Sequence, residues 1–479
     1  MERLQTVFWG LIVRDEFHTD KGKNTIVSKF CIAATTSPHD NAPTPHRNSP
    51  FKIAMSGTPF ERSPLELTSF VLSIQRPEWS QPLSDGTENP LRQCCEDEFV
   101  RICEKFLKIV QSPGTYSESQ IKAHSSKMNS LLRPWMIRRK GYDRFLGHEI
   151  VKLEKMNPRI VPFTTPKKLH GDIDWLATAV RDQFNAEFEK RLSNWRIRGK
   201  HGPRPQPQVL AKGLGDYHAL RICATFPMLA RIRRLHGITR NDWSFLKRDI
   251  DEQRLLSNPR AFEKSYYGIY LDQLVEDSPK MQFIEKRINA LQQARIVIFS
   301  FNPAVAMIVY MWLKKKGLRA VLYHAQLNSS EREKLLKDWS GQPADGPSAQ
   351  QSTTAPNVKA NVGRPANVLV STMGMVGTGL NMTAASHCIL IDMPFSESSQ
   401  TQAFGRIHRT GQKQKTSLLQ LYTSDNAIEN AIHGRHTSRS NVANYLWQVS
   451  ALQARNDAEK KKAQEEEKEE EDEEVITIV

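Results

Sequence analysis

The stretch from Asn367 to Gln412 constrains the fold more than any other part of the chain. Two short apolar runs, Val368 to Val370 and Cys388 to Ile391, are rich in β-branched residues and are flanked by segments of helical length. They read as interior strands of a parallel sheet, whose chemistry collects at the carboxyl ends of the strands. Beyond the first run come Ser371 and Thr372, then the turn Gly377-Thr378-Gly379-Leu380-Asn381. Its glycines let a backbone approach a ligand closely and expose amides. Arg406 and Arg409 follow, three apart, and are predicted to share a helical face. Two guanidiniums so placed suit a polyphosphate, because the planar fork donates paired hydrogen bonds and keeps its charge. An Arg-x-x-Arg pair alone reads as an ordinary basic helix face, so the longer string has to decide.

That string, Gln402-Ala-Phe-Gly405-Arg-Ile-His-Arg-Thr-Gly-Gln412 after Gly-Thr-Gly-Leu-Asn, resembles motifs V and VI of the Swi/Snf-type DNA-dependent ATPases of helicase superfamily two. The closing Gly-Gln is particular to that family. Near the start, the apolar run Phe8 to Val13 leads through Arg14 into Asp15-Glu16-Phe17-His18, and Phe51 to Met55 leads into Ser56-Gly57-Thr58-Pro59. In that order the two strings resemble motifs II and III. Leu132 to Arg139 resembles the element that closes the first lobe, and Leu220 to Pro227 the element between lobes, with Phe226 where the family has histidine. The Thr-, Ser-, Pro- and His-rich segment 33–50 is longer than the family's usual spacing and reads as a loop.

The resemblance implies an α/β chain: two RecA-like parallel-sheet lobes, the first truncated, joined by a helical linker region. It implies ATP and Mg²⁺ between the lobes and nucleic acid across the top. Asp15 would hold Mg²⁺ through water and Glu16 would orient or deprotonate the attacking water. Arg406 and Arg409 would reach the phosphates from the second lobe. Gly377, Gly379, Asn381, Gln402 and Gly405 would shape the nucleotide contacts, and His18, Ser56, Gly57, Thr58, Ser371 and Thr372 would couple nucleotide state to DNA. The expected divisions are a partial first lobe over 1–165, a helical linker or protrusion over 166–277, a second lobe over 278–445 and an acidic tail over 446–479.

Within the second lobe, strands are predicted at Arg295 to Phe301, Arg319 to Tyr323 and Thr416 to Tyr422. Helices are predicted over Ala304 to Lys316, ended by Gly317, over Ser329 to Trp339 with its cap in Ser329-Ser-Glu-Arg-Glu, and over Ala427 to His433. Such alternation predicts a parallel sheet with right-handed crossovers. Residues 341–366 are low in complexity and nearly free of large apolar side chains, so a disordered insertion is expected there.

The formal charge is +15, unevenly spread: eleven acidic residues against four lysines between 457 and 479 give −7, leaving +22 on the first 456. A basic body of that size favours a polyanion partner, nucleic acid being the commonest. The family points to double-stranded DNA or chromatin in the nucleus, with histones or other nuclear proteins as further partners; the acidic tail reads as a solvated arm or as a histone-binding or self-masking one. No apolar run approaches the roughly 20 residues of a membrane span, so no membrane partner is expected. The six cysteines show neither a Cys-x-x-Cys pair nor histidines at zinc spacing and read as reduced thiols.

A phosphate-gripping Gly-x-x-x-x-Gly-Lys-Ser/Thr loop is not found, and only 14 residues precede Asp15. The expectation is therefore a chain lacking part of its first lobe, whose second lobe folds independently and whose first is unstable. Function divides into two readings. One is an ATP-dependent DNA translocase of the chromatin-remodelling or repair type with impaired hydrolysis. The other is a non-catalytic nucleic-acid-binding scaffold derived from such a motor.

Overall fold

The computed structural model describes residues 11–14, 25–33, 51–56, 63–74, 81–89, 92, 95–110, 116–133, 136–137, 144–145, 148–149, 153, 156–199, 205, 214–236, 263–264, 266–291, 294–325, 327–341, 367–378 and 380–436. Two compact units emerge, Met1–Lys140 with Arg435–Val479, and Gly141–Gly434. No helix among the described residues is long and apolar enough to cross a membrane.

In the first unit, β1 (Leu11–Arg14) pairs in parallel with β2 (Phe51–Ala54), the helix α1 (Ile26–Ala33) falling between them in the chain. Alternation puts Ile12 against Cys31 of α1, while Leu11, Val13 and Ile53 stay 51%, 49% and 47% exposed. The two predicted strands thus pair with each other and keep a bare apolar face. Helices α2 (Thr68–Ile74), α3 (Glu96–Val110) and α4 (Glu118–Leu132) build a separate core from Val71, Phe99, Cys103, Phe106 and Met128. A capping box between Ser117 and Gln120 starts α4.

The second unit holds a six-stranded sheet. Its strands are β3 (Arg159–Phe163), β4 (Ile296–Ser300), β5 (Ala320–Tyr323), β6 (Val368–Thr372), β7 (His387–Leu390) and β8 (Ser417–Thr423), in the order β3-β8-β7-β4-β6-β5. Every pairing is parallel. This is the RecA-like α/β lobe that the sequence predicts, and the predicted strand ends hold to within one or two residues. From β4 the chain moves to one side through β5 and β6 and then to the other through β7 and β8, so a crevice flanks the carboxyl end of β4.

Period-two alternation sends β4 and β6 side chains to two apolar layers. Ile296, Ile298, Val368 and Val370 face α5 (His170–Ile197), α6 (Leu214–Cys223), α7 (Met228–His236), α8 (Pro279–Ala290) and α9 (Pro303–Lys315). Val297, Phe299 and Leu369 face Trp339 of α10 (Ser329–Ser340) and Phe404 of α11 (Glu397–Phe404). A last helix, α12, covers 427–436.

Three details differ from expectation. Residues 170–236, read as linker or protrusion, pack Ile173, Leu176, Leu220, Phe226 and Leu229 into the same core as the sheet. β3 lies within the stretch assigned to the first lobe, yet it is the edge strand of this sheet. Finally, α10 is capped by Asn328, one residue before the predicted start, its side chain accepting from the Glu331 amide while Glu331 reaches back to the cap. Asn is as good a cap as Ser, and the reciprocal pair fixes the register. The insertion at 341–366 and the acidic tail fall outside the described residues, apart from Gly341, whose φ of 68° closes α10.

Candidate nucleotide and nucleic-acid site

The carboxyl ends of six parallel strands form one edge of the second unit. At the end of β6, Ser371 is buried, and its hydroxyl donates to the Tyr323 carbonyl of β5 at 2.8 Å. That hydroxyl joins two strands, while Thr372 beside it is half-buried. A 3₁₀ turn, Met373–Thr378, contains Gly377; Gly379 lies outside the described residues. Asn381 is exposed, and its side-chain oxygen accepts from the Thr383 amide at 3.1 Å. This Asx turn fixes the bend and leaves the rest of the amide at the surface.

Ser396 caps α11, which buries Ala403 and Phe404 and carries Gln402 half-buried on its last turn. The helix then stops, so the prediction that Arg406 and Arg409 share a helical face is corrected. The reason is packing: Ile407 and His408, neighbours in sequence, are both buried, at 0% and 9% exposure, and a continuing helix would aim them 100° apart. Residues 405–411 instead form successive turns, with Arg406 half-buried and Arg409 exposed. Gly411, at φ 95°, supplies the left-handed step that reverses the chain.

Two sets of hydrogen bonds stitch this arginine turn to the glycine-Asn turn. The Met382 amide donates to the Arg406 carbonyl at 3.0 Å. The side-chain amide of Gln412 donates to the carbonyls of Thr383, Ala385 and Ile407 at 3.1, 2.8 and 3.1 Å. His408 adds a 2.8 Å contact from Nδ1 to the Thr416 hydroxyl. The Asn381 and Arg406 segments are therefore one rigid piece.

At the carboxyl end of the sheet, Asp392 ties two strands together. It is 2% exposed and accepts from the Ser300 hydroxyl and the Phe301 amide, both at 2.7 Å, joining the ends of β4 and β7. A cleft of about 460 Å³ opens between the last turns of α10 and the stitched piece, lined by Lys337, Trp339, Asn381, Thr383 and Lys413 among others. Lys413 at its rim is exposed, while Lys337 pairs with Glu333, which also lines it, at 2.9 Å. His324, just beyond β5, is held below its ordinary pKa by burial and then by the Arg332 guanidinium, so its imidazole adds no charge at pH 7.

In the first unit, the Met55 amide donates to the Arg14 carbonyl at 2.8 Å, and half-buried Ser56 follows directly. Asp15, Glu16, His18, Gly57 and Thr58 lie outside the described residues. Among the described residues no group of three His, Cys, Asp or Glu side chains could hold a metal ion.

Gln412 and Asp392 carry more of this geometry than the sequence reading assigned them. Gln412 stood in the motif string, but two of the three carbonyls it serves lie 27 and 29 residues away in sequence. Asp392 follows a buried strand without any local pattern to mark its partners.

Comparison with known proteins gives a family match over residues 279–411, described as the helicase conserved C-terminal domain. The chain is 21% identical over 454 residues to the DNA excision repair protein ERCC-6-like of Mus musculus, covering 91% of this chain and 31% of that protein. It is 21% identical over 409 residues to the SWI/SNF-related matrix-associated actin-dependent regulator of chromatin subfamily A containing DEAD/H box 1 homolog of Drosophila melanogaster, covering 80% and 41%. To the helicase-like transcription factor of Oryctolagus cuniculus it is 28% identical over 181 residues, covering 36% and 17%. The chain thus spans less than half the length of each of these relatives.

Proposed function

We propose, from this likeness to Swi/Snf-type superfamily-two helicase-like ATPases, that the second unit is the phosphate- and DNA-facing half of an ATP-driven double-stranded-DNA translocase. The observation that carries this reading is the rigid union of the Asn381 turn with the Arg406–Arg409 turn where the chain enters β7 and β8. A motor needs its nucleotide-sensing cations and its DNA-contacting turn to move together, and a scaffold does not.

The described half suits a polyphosphate: Arg406, Arg409 and exposed Lys413 follow one another on a turn stitched to the glycine-Asn turn. Bound ATP would supply the free energy of phosphoryl transfer to water. Arg406 and Arg409 would neutralise charge on its phosphates, Gly377, Gly379, Gln402 and Gly405 would shape the contact, and Asn381 and Thr372 would face DNA. From the first unit, Asp15 and Glu16 would hold Mg²⁺ and orient water, while His18, Ser56, Gly57 and Thr58 would couple the two events. No phosphate-gripping lysine loop occurs within the 479 residues, and hydrolysis by this chain alone should accordingly be weak. Work on chromatin or in repair inside the nucleus follows from the same reading.

The test is anisotropy with a labelled duplex at several salt concentrations, with and without a non-hydrolysable ATP analogue. Salt-sensitive binding that shifts with nucleotide, and loses that shift in Arg406→Ala, is expected. Binding indifferent to nucleotide would instead favour a non-catalytic scaffold.

A further inference from the structure

Arg221 sits in the last turn of α6, in the element that resembles the stretch between lobes. Its side chain is 2% exposed and crosses to the carboxyl edge of the sheet. There its guanidinium carbon lies 4.0 Å from the ring centroid of Phe301 and 4.0 Å from that of Phe395. The two rings meet edge to face with centroids 4.8 Å apart. One guanidinium nitrogen also donates to the Met393 carbonyl.

Each contact point leads somewhere. Phe301 is the first residue after β4, and its amide is held by Asp392. Phe395 directly precedes Ser396, the cap of α11, and α11 ends at the turn that carries Arg406 and Arg409. The base of the clamp is fixed as well: the Thr423 hydroxyl donates to the Ala224 carbonyl at 2.6 Å, and the Asn426 side chain to the Leu220 carbonyl at 3.2 Å. α6 therefore cannot shift along the end of β8. His218, one turn earlier, is held below its ordinary pKa by burial and then by Arg221, so the arginine charge acts there through little screening.

We propose that Arg221 is a positioning residue, a cation gripped by two aromatic rings that sets where α11 begins and so where the Arg406–Arg409 turn is presented. A lysine cannot replace it, because an ammonium lacks the plane that meets both rings and reaches the Met393 carbonyl at once. The value of that placement for nucleotide binding rests on the function proposed above; the clamp itself does not.

The test uses the full chain with 4-fluorophenylalanine placed singly at position 395 or 404, read by fluorine NMR. Phe404 ends α11 and is 1% exposed, so its signal reports the far end of the helix. In Arg221→Lys, both signals should shift, with circular dichroism and the melting midpoint close to the parent's, and affinity for the ATP analogue should fall at least about fivefold. Phe395→Leu removes the surface ring and should move the 404 signal in the same way, which keeps the test open if the lysine variant folds poorly. Arg231→Lys, which alters the half-buried pairing with Asp172, should move neither signal. A 404 signal unchanged in both Arg221→Lys and Phe395→Leu would overturn the proposal. If the parent binds no nucleotide, the proposed function fails while the fluorine signals still decide the clamp.

Discussion

Gln412 reaches across 27 residues of sequence to place its side-chain amide 2.8 Å from the carbonyl of Ala385. The same nitrogen serves Thr383 and Ile407, so one planar group holds together the two turns that lead into β7 and β8. Arg406 gains its fixed position from this neighbour and from the Met382 amide, not from a helix.

Gln412→Ala should leave the buried carbonyls of Ala385 and Ile407 and the half-buried one of Thr383 without this donor, and lower stability by about 1–3 kcal/mol. Gln412→Glu should be worse near neutrality, where a carboxylate would face three carbonyl oxygens, and milder in mild acid, where the protonated form can donate again. Urea denaturation at the two pH values checks both. Equal loss in the two variants at both pH values would mean that the amide is not the group that matters.

Lys280 and Glu429 form an ion pair at 2.9 Å with side chains 1% and 0% exposed. Glu429 also accepts from the amides of Met393 and Thr423, at 3.1 and 2.7 Å. Removing only the cation, as in Lys280→Met, should cost about 3–5 kcal/mol because an uncompensated carboxylate stays buried. Adding Glu429→Gln, which removes the charge and keeps an acceptor for one of the two amides, should recover part of that loss. A double-mutant cycle in denaturant measures the coupling, and simple additivity would contradict this account.

Lys52 on β2 donates to the Ser73 carbonyl at 2.6 Å, and burial pushes its ammonium down from 10.5 to about 8, against a smaller opposing effect of Cys31. The folded chain disfavours the charged amine, so the unfolded chain binds the extra proton between those values. The penalty is complete below about pH 8 and is relieved as pH rises towards 10.5. The melting midpoint of the wild type relative to Lys52→Met should therefore climb across that window and stay level beneath it. A level difference throughout would mean that the amine titrates like a surface lysine.

Gly411 and Gly405 are needed for different reasons. A β-carbon at Gly411 would meet nothing within 4 Å, so the burden of Gly411→Ala is its φ of 95° alone, about 1–2 kcal/mol. Asn tolerates that region better, and Gly411→Asn should be the milder change. Gly405 has an ordinary φ of −64°, but an added β-carbon would lie 3.1 Å from the Thr401 carbonyl. There Ala should be milder than Asn. Denaturant midpoints of the four variants should show this crossed pattern.

Much of the second unit could be read directly, because buried parallel strands such as Ile296–Ser300 and Val368–Thr372 announce themselves as unbroken apolar runs. What escaped the reading depends on distant partners. Arg159–Phe163 looked like the close of the first lobe, since nothing local reveals that Pro162 will stand opposite Tyr422. With hindsight the proline was a cue: it has no N–H to offer and is at home in an edge strand. Arg406 and Arg409 have helical spacing, but the consecutive burial of Ile407 and His408 overrode it. Gln412 was visible as a letter in a motif, whereas its job depends on where three carbonyls arrive after folding.

The edge position of β3 also matters to anyone who would cut the chain. The family match begins at residue 279, and a fragment started there would lack Arg159–Phe163. Peptide groups of Gln420, Tyr422 and Ser424 would then lie open along one border, a template on which a second copy could add its own strand. Such a fragment should form soluble aggregates or swapped dimers at working concentrations. One begun near Met156 carries its own border strand, tied down where Asp425 receives the Thr165 amide at 2.9 Å.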